Sequence, residues 1–146
     1  MKTDISVVIP VHNEEKNLRP LHDRITANLA KGKASYEVIF VDDGSTDSSL
    51  TILKELCRND KRVKAVGLSR NFGHEIATTA GLRYSKGDAV IVMDADLQHP
   101  PEALPSLIKK SCRILKGINR NIKLSLLNSI IKHGLILNKV PGKRRP

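Results

Sequence analysis

Two aspartates separated by one residue, Asp94 and Asp96, follow an apolar run over residues 89–93. A short run of this kind is typical of a buried strand, and α/β sheets bind their ligands at the carboxyl ends of strands. Carboxylates at alternate positions of an extended backbone point to the same side, where they can hold a hard divalent cation against the phosphates of a substrate. The amide of Gln98 lies two residues further on. The segment therefore predicts a metal and phosphate site, although the same spacing is frequent in ordinary turns.

Acidic turns also follow two earlier apolar runs. Glu14 comes after residues 5–9, and Asp43 comes after residues 36–41. Because strands that alternate with helices run parallel, their carboxyl ends meet at one edge of the sheet, and the three turns converge there. Taken alone, residues 42–47 are better explained as a capped strand-to-helix turn, since Gly permits a sharp turn and Ser or Thr can cap a helix. The convergence of all three turns is what indicates a binding site.

Four apolar runs rich in Val and Ile predict four strands, and helical spacing of apolar residues predicts a helix after each of them. The strands are expected at residues 5–9, 36–41, 63–68 and 89–93. Asn13 and the Ser45–Thr46 pair are the expected N-caps of the first two helices, and Pro100–Pro101 begins a fourth helix that ends near Lys110. This alternation predicts the α/β class, with a Rossmann-like parallel sheet covered by helices on both faces.

The positive charge of the chain is concentrated after residue 110. The 146 residues include 25 Lys and Arg and 15 Asp and Glu, which gives a formal net charge of +10. Residues 1–110 hold 16 of the basic residues and all 15 acids, whereas residues 111–146 hold 9 basic residues and no acid. We therefore expect one domain over residues 1–110 and a divergent basic tail over residues 111–146, either amphipathic and helical or poorly ordered.

The start of this tail has the pattern of a helix that lies on a membrane surface. On a helical projection Ile114, Leu115 and Ile118 share one face, and Arg113 and Lys116 share the opposite one. An anionic membrane surface is thus one expected partner. An unselected tail that follows a frameshift or an early stop is equally compatible with the composition.

Several function classes lack their usual sequence signals. The chain has no Trp, 2 Tyr and 2 Phe, which leaves no stacking platform for nucleic acid, so no nucleic-acid partner is expected. It contains neither a GxGxxG nor a GxxxxGK sequence, which argues against dinucleotide-dependent oxidoreductases and P-loop enzymes. The five histidines have no metal-ligand spacing, and no catalytic histidine is assigned. Two cysteines without a CxxC pair, and a first apolar run too short for a signal peptide, predict a cytoplasmic protein.

In this order and spacing, residues 9–15, 41–45 and 93–102 resemble the motifs of family 2 glycosyltransferases. The likeness is greatest to the branch that transfers a sugar from a nucleotide to a polyprenyl phosphate, such as the dolichol- and undecaprenyl-phosphate sugar transferases. It spans residues 4–110. The resemblance implies a GT-A fold, a nucleotide-sugar donor, a polyprenyl-phosphate or other membrane-associated acceptor, and Mg²⁺ or Mn²⁺ as the cofactor.

The resemblance also implies roles for individual residues. The residues that would contact the nucleotide sugar are Pro10, His12, Glu14, Val41, Asp43, Asp94 and Ala95. Asp96 with Gln98 would bind the metal, and Asp94 and Asp96 are the expected catalytic residues. Position 12 is commonly Tyr in this family, whereas this chain has His.

The reaction that the resemblance implies is an inverting, metal-dependent displacement at the anomeric carbon, at the cytoplasmic face of a membrane. A phosphate acceptor is already anionic at neutral pH, so this reaction needs no strong general base. The likeness stops at Lys110, before the acceptor region that the family carries. The alternative is therefore a truncated, catalytically inactive fragment that binds the donor, and a general nucleotide-binding regulator is a third interpretation.

Overall fold

The computed structural model describes residues 3–98 and 100–109, and strands alternate with helices along this part of the chain. The elements are β1 (Ile5–Val11), α1 (Leu18–Leu29), β2 (Tyr36–Asp42), α2 (Ser49–Asn59), β3 (Val63–Gly67), α3 (His74–Tyr84), β4 (Ala89–Val92) and a 3-10 turn (Pro101–Ala103) that continues into helical residues 104–109. The predicted tail over residues 111–146 lies outside the described residues. Within the described residues, no helix is long and apolar enough to cross a membrane.

The four strands form one parallel sheet in the order β3-β2-β1-β4. β1 is central, and its first residue, Ile5, is opposite Tyr36 of β2 and Ala89 of β4. The pairing of β1 with β4 ends at Val8 and Val92, so Pro10 is tolerated in β1 because it lies beyond this ladder. All four strands are parallel, and their carboxyl ends therefore lie along the same edge. The predicted parallel sheet is confirmed.

Helices cover both faces of this sheet, as the sequence predicts. α1, α2 and the 3-10 turn pack on one face around a core that includes Ile9, Phe40 and Ile91. α3 packs on the other face, over Val8, Val41 and neighbouring apolar residues. The approach of α3 is so close that a Cβ atom at Gly81 would lie 2.3 Å from Cγ1 of Val8. Glycine at this position therefore sets the distance between α3 and the sheet.

The predicted helix caps are wrong. α1 begins at Leu18 and α2 at Ser49, and neither helix has a side-chain hydrogen bond from its N-cap residue. Asn13 instead binds the turn that precedes α2, where its Oδ1 accepts the backbone N–H of Thr46 at 2.8 Å. The backbone N–H of Asn13 in turn donates to Ser45 Oγ at 3.0 Å. The expected caps fail because the two turns are neighbours at the sheet edge, where Asn13 forms hydrogen bonds with Ser45 and Thr46.

A buried carboxylate secures the connection between α3 and β4. Glu37 accepts hydrogen bonds from Ser6 Oγ at 2.6 Å and from the backbone N–H of Lys86 at 2.6 Å, and it forms an ion pair with Lys64. Burial alone would raise the pKa of Glu37, but these donors favour its charged form and hold the pKa below its ordinary value. The connection is thereby fixed at the amino ends of the strands, opposite the edge that carries the acidic turns.

Candidate functional site

An open cavity of about 360 Å³ lies at the carboxyl edge of the sheet. Turns that follow all four strands contribute to its wall. The lining residues are Pro10, Val11, His12, Glu14, Asp43, Asn71, Gly73, His74, Asp94, Ala95 and Asp96. The cavity therefore brings together acidic side chains that are up to 82 positions apart in the sequence, from Glu14 to Asp96.

Seven of the nine residues that the resemblance selects line this cavity, and two do not. Val41 is fully buried in the core beneath α3, because its position in β2 directs its side chain to that face. Gln98 is exposed, and its backbone N–H donates to Asp96 Oδ1 at 2.9 Å. Gln98 thus contacts a residue of the cavity wall through its backbone, while its side chain lies outside the lining set.

The turn after β4 contributes two aspartates, Asp94 and Asp96, to the cavity lining. Ala95, which lies between them, is buried and packs in the core with α1 and α2. Asp94 is half-buried and Asp96 is exposed, and both line the cavity. Leu97 has a φ of 64°, which turns the chain sharply and lets the N–H of Gln98 reach the Asp96 carboxylate.

His12 links three of the turns around the cavity. Its Nδ1 lies 2.9 Å from the carbonyl oxygen of Asp43, and since a carbonyl only accepts, Nδ1 is the donor. Nε2 is then the acceptor of this ring, and the side-chain amides of Asn71 and Asn13 lie 3.2 and 3.3 Å from it. His12 therefore joins the turns after β1, β2 and β3 through hydrogen bonds of its ring.

The carboxylate of Asp43 holds the loop that follows β3. Its two oxygens accept the backbone N–H groups of Phe72 at 2.8 Å and Gly73 at 2.9 Å. The neighbouring Gly44 has a φ of 64°, and a Cβ atom there would lie 2.4 Å from the carbonyl carbon of Arg70. β3 is at the edge of the sheet, so these contacts are what bring its loop across to the cavity.

His74, the first residue of α3, reaches the turn after β4. Its Nε2 lies 2.9 Å from Oδ1 of Asp94, and because a carboxylate accepts, Nε2 carries the hydrogen. His74, Gly73 and Asn71 are cavity residues that the acidic motifs do not reveal. The topology is the signal that identifies them, since residues 68–73 follow a parallel strand and must leave it at the same sheet edge.

The acidic residues at this site have the chemistry of ligands for a magnesium or manganese ion that is shared with phosphate. Carboxylate oxygens are hard donors, and Mg²⁺ is commonly held by one or two of them together with water and substrate phosphates. Over residues 3–98 and 100–109, no group of three or more His, Cys, Asp or Glu side chains surrounds a common metal position. Asp94 and Asp96 are two hard oxygen donors on the cavity wall, and they are the residues here that could hold such an ion.

Comparison with known proteins places the chain among glycosyltransferases. The family model described as Glycosyl transferase family 2 matches residues 6–118. The uncharacterized glycosyltransferase YkcC of Bacillus subtilis is 48% identical over 105 residues, which cover 72% of this chain and 32% of that protein. An undecaprenyl-phosphate 4-deoxy-4-formamido-L-arabinose transferase of Edwardsiella ictaluri is 48% identical over 106 residues, or 72% of this chain and 33% of that protein. The chain thus spans about a third of the length of these curated relatives.

The fold is likewise shared with solved glycosyltransferase structures. The crystal structure of S. aureus TarS 1-349 in complex with UDP-GlcNAc superposes with a TM-score of 0.55 and 32% sequence identity. The match covers 64% of this chain and 27% of that one. The expected GT-A architecture is confirmed for the described domain. The family model matches most of the chain, and the three motifs lie at one edge of the sheet. The chain therefore belongs to glycosyl transferase family 2.

Proposed function

We propose that this chain binds the donor of a metal-dependent, inverting glycosyltransferase that moves a sugar from a nucleoside diphosphate to a polyprenyl phosphate. The observation that carries the proposal is the convergence of the three acidic turns on one cavity. Two similar proteins support it. One is by name an undecaprenyl-phosphate sugar transferase, and the structure of the other contains UDP-GlcNAc.

In this proposal the two sides of the cavity have different tasks. The nucleoside side is formed by Pro10, His12, Glu14 and Asp43, and Val41 lies beneath them. Asp94 and Ala95 contact the sugar-bearing diphosphate, and Asp96 with Gln98 beside it holds Mg²⁺ or Mn²⁺. When bound, the ion supplies positive charge to the departing diphosphate. Asp94 and Asp96 are the catalytic residues in this assignment because they face the departing diphosphate.

The proposed acceptor, a polyprenyl phosphate, differs from a hydroxyl acceptor in whether it needs a general base. A hydroxyl acceptor needs a general base, whereas a phosphate monoester is already ionised. Beyond Asp96, the described residues include one acid, Glu102, and its two oxygens bind Arg24 of α1 at 2.9 and 2.7 Å. Glu102 is therefore engaged in an ion pair with Arg24 of α1, whereas the proposed polyprenyl-phosphate acceptor requires no general base.

The proposal also includes an expected location of the chain. The basic, amphipathic pattern over residues 113–127 would place the chain at an anionic membrane surface, as a peripheral protein on the cytoplasmic side.

The second candidate function is donor binding without sugar transfer. This candidate concerns the 146 residues alone, which span about a third of the curated relatives that they match.

Calorimetric titration of the 146-residue chain with UDP, GDP and dTDP, with and without Mn²⁺, tests the donor site. We expect one of the three to bind and its affinity to fall when Mn²⁺ is replaced by a chelator. Absence of binding to all three at millimolar concentration would overturn the proposal. Binding that is identical with Mn²⁺ and with chelator would overturn its metal component.

A further inference from the structure

The loop between β3 and α3 joins the two acidic sides of the cavity. It comprises residues 68–73, and its first N–H, from Leu68, donates to the carbonyl oxygen of Asp42 at 2.8 Å. Its last two N–H groups bind the Asp43 carboxylate. Asn71 reaches His12 from the middle of the loop. The loop is therefore attached along its length to the turns that follow β1 and β2.

This attachment determines where α3 starts. Gly73 has a φ of 97°, which favours glycine, and its carbonyl oxygen accepts the N–H groups of Ile76 and Ala77 at 3.1 Å each. His74 follows Gly73 directly. Its backbone therefore lies between this loop and α3, which packs closely on the sheet at Gly81. The imidazole therefore extends from the first residue of α3, and it reaches Asp94 from there.

The pair between His74 and Asp94 is too exposed to contribute much to folding. The side chains of His74 and Asp94 are 61% and 37% exposed. Contacts of this kind in water add little to the free energy of unfolding, because solvent competes for both groups. The same contact does restrict the rotation of the Asp94 carboxylate, which is one of the groups facing the cavity.

We infer that His74 is a positioning residue for donor binding. Its Nε2–H holds Asp94 in the orientation in which that carboxylate meets the nucleotide sugar, and Asp43 keeps His74 in place through the loop. The inference rests on the proposed function, since it assumes that the cavity binds a nucleoside diphosphate. It adds a residue outside the three acidic motifs to the donor site.

The test compares His74→Ala and His74→Gln with wild type in titrations of the nucleoside diphosphate that wild type binds, in the presence of Mn²⁺. Glutamine carries an amide N–H at about the position of Nε2, so it can still donate to Asp94. We expect His74→Ala to weaken binding about tenfold and His74→Gln to restore it to within about threefold of wild type. Glu75→Gln, on the same exposed turn of α3, is the control and should bind like wild type.

Thermal melting separates positioning from a loss of structure. The variants should melt within about 2 °C of wild type, because an exposed pair contributes little stability. Wild-type affinity in His74→Ala, or a His74→Gln affinity as low as that of His74→Ala, would overturn the inference while leaving the donor site intact. A wild-type chain that binds no nucleoside diphosphate would overturn the proposed function and this inference together.

Discussion

Asp43 and Gly73 are 30 residues apart in the sequence, yet the carboxylate of one accepts the backbone N–H of the other at 2.9 Å. Asp43 is 3% exposed, and its other oxygen binds the N–H of Phe72. The residue that the family resemblance assigns to the nucleoside is therefore also the anchor of a cavity loop. A substitution at this position is therefore expected to change the proposed donor site through the backbone as well as through direct contact.

Asp43→Asn should weaken nucleotide binding more than Asp42→Asn. The introduced amide would present its own N–H₂ to one of the two loop N–H groups, and losing a hydrogen bond to a charged acceptor costs about 1.5–3 kcal/mol. Asp42 is equally buried, but its carboxylate makes a long contact of 3.4 Å with the N–H of Ser45. Titration calorimetry of both variants gives the comparison. Equal losses, or the reverse order, would refute the assignment.

Asp96→Ala should abolish the stabilisation that Mn²⁺ and a nucleoside diphosphate together give to the folded chain. A ligand at about 100 times its dissociation constant stabilises a protein by about 2.7 kcal/mol, which is readily seen as a rise in melting temperature. The Asp96 carboxylate is exposed at the cavity, so removing it and its hydrogen bond from the N–H of Gln98 should change the melting temperature of the free chain only slightly. An undiminished shift with Mn²⁺ and nucleotide in the variant would contradict the metal assignment.

Gly44→Ala should destabilise the chain more than Gly73→Ala does. Both glycines have a positive φ, which costs a side chain about 1 kcal/mol at either site. A Cβ atom at position 44 would also lie 2.4 Å from the backbone of Arg70, whereas one at position 73 would have no atom within 4 Å. Urea unfolding measures both free energies. Similar values for the two variants would show that the loop after β3 is not packed against Gly44.

The stability of the fold should decrease with acid through Asp60. Hydrogen bonds from Arg62 lower the pKa of Asp60 from 3.8 to about 2. Because the folded pKa is below the ordinary value, Asp60 stabilises the fold above about pH 4, and this contribution of about 2 kcal/mol disappears as the pH falls towards 2. Urea unfolding of wild type and Asp60→Asn from about pH 6 down to about pH 2 should give curves that converge at the acid end. A constant difference between them would rule out this linkage.

The isolated chain should bind a nucleotide weakly and transfer little or no sugar. A transferase must enclose both donor and acceptor, and this chain spans about a third of the curated relatives it matches. The purified chain should be incubated with Mn²⁺, a panel of nucleotide sugars and a polyprenyl phosphate, and the lipid products separated by chromatography. Substantial glycolipid formation would show that these 146 residues are sufficient for transfer.

Most of the fold was predictable because it depends on local patterns. The four strands are short runs of Val and Ile between polar turns, and the structure places each within two residues of its predicted bounds. The alternation with helices then requires a parallel sheet with crossovers on both faces. The helix caps were not predictable in this way, since the partners of Asn13 are supplied by another turn.

The acidic part of the site was predictable, and the part built on α3 was not. Asp43, Asp94 and Asp96 belong to motifs with characteristic spacing, whereas His74 has no such neighbour in the sequence. It contacts Asp94 across 20 positions, and the loop before it binds Asp43 across 30. The spacing of residues in the sequence does not encode such long-range contacts. Val41 shows the opposite case, because a residue within a recognised motif is fully buried in the core.

The bonds that Asn13 makes to Ser45 and Thr46 have a thermodynamic consequence for the free chain. Two turns that would otherwise sample many backbone conformations are already ordered before any ligand arrives. Fixing a residue's backbone costs about 1–2 kcal/mol in conformational entropy, and for these turns that cost is already included in the free energy of folding. In the proposed donor complex the nucleoside would therefore meet a preorganised wall on the β1 and β2 side, and little of the intrinsic binding free energy would be lost to immobilising these turns.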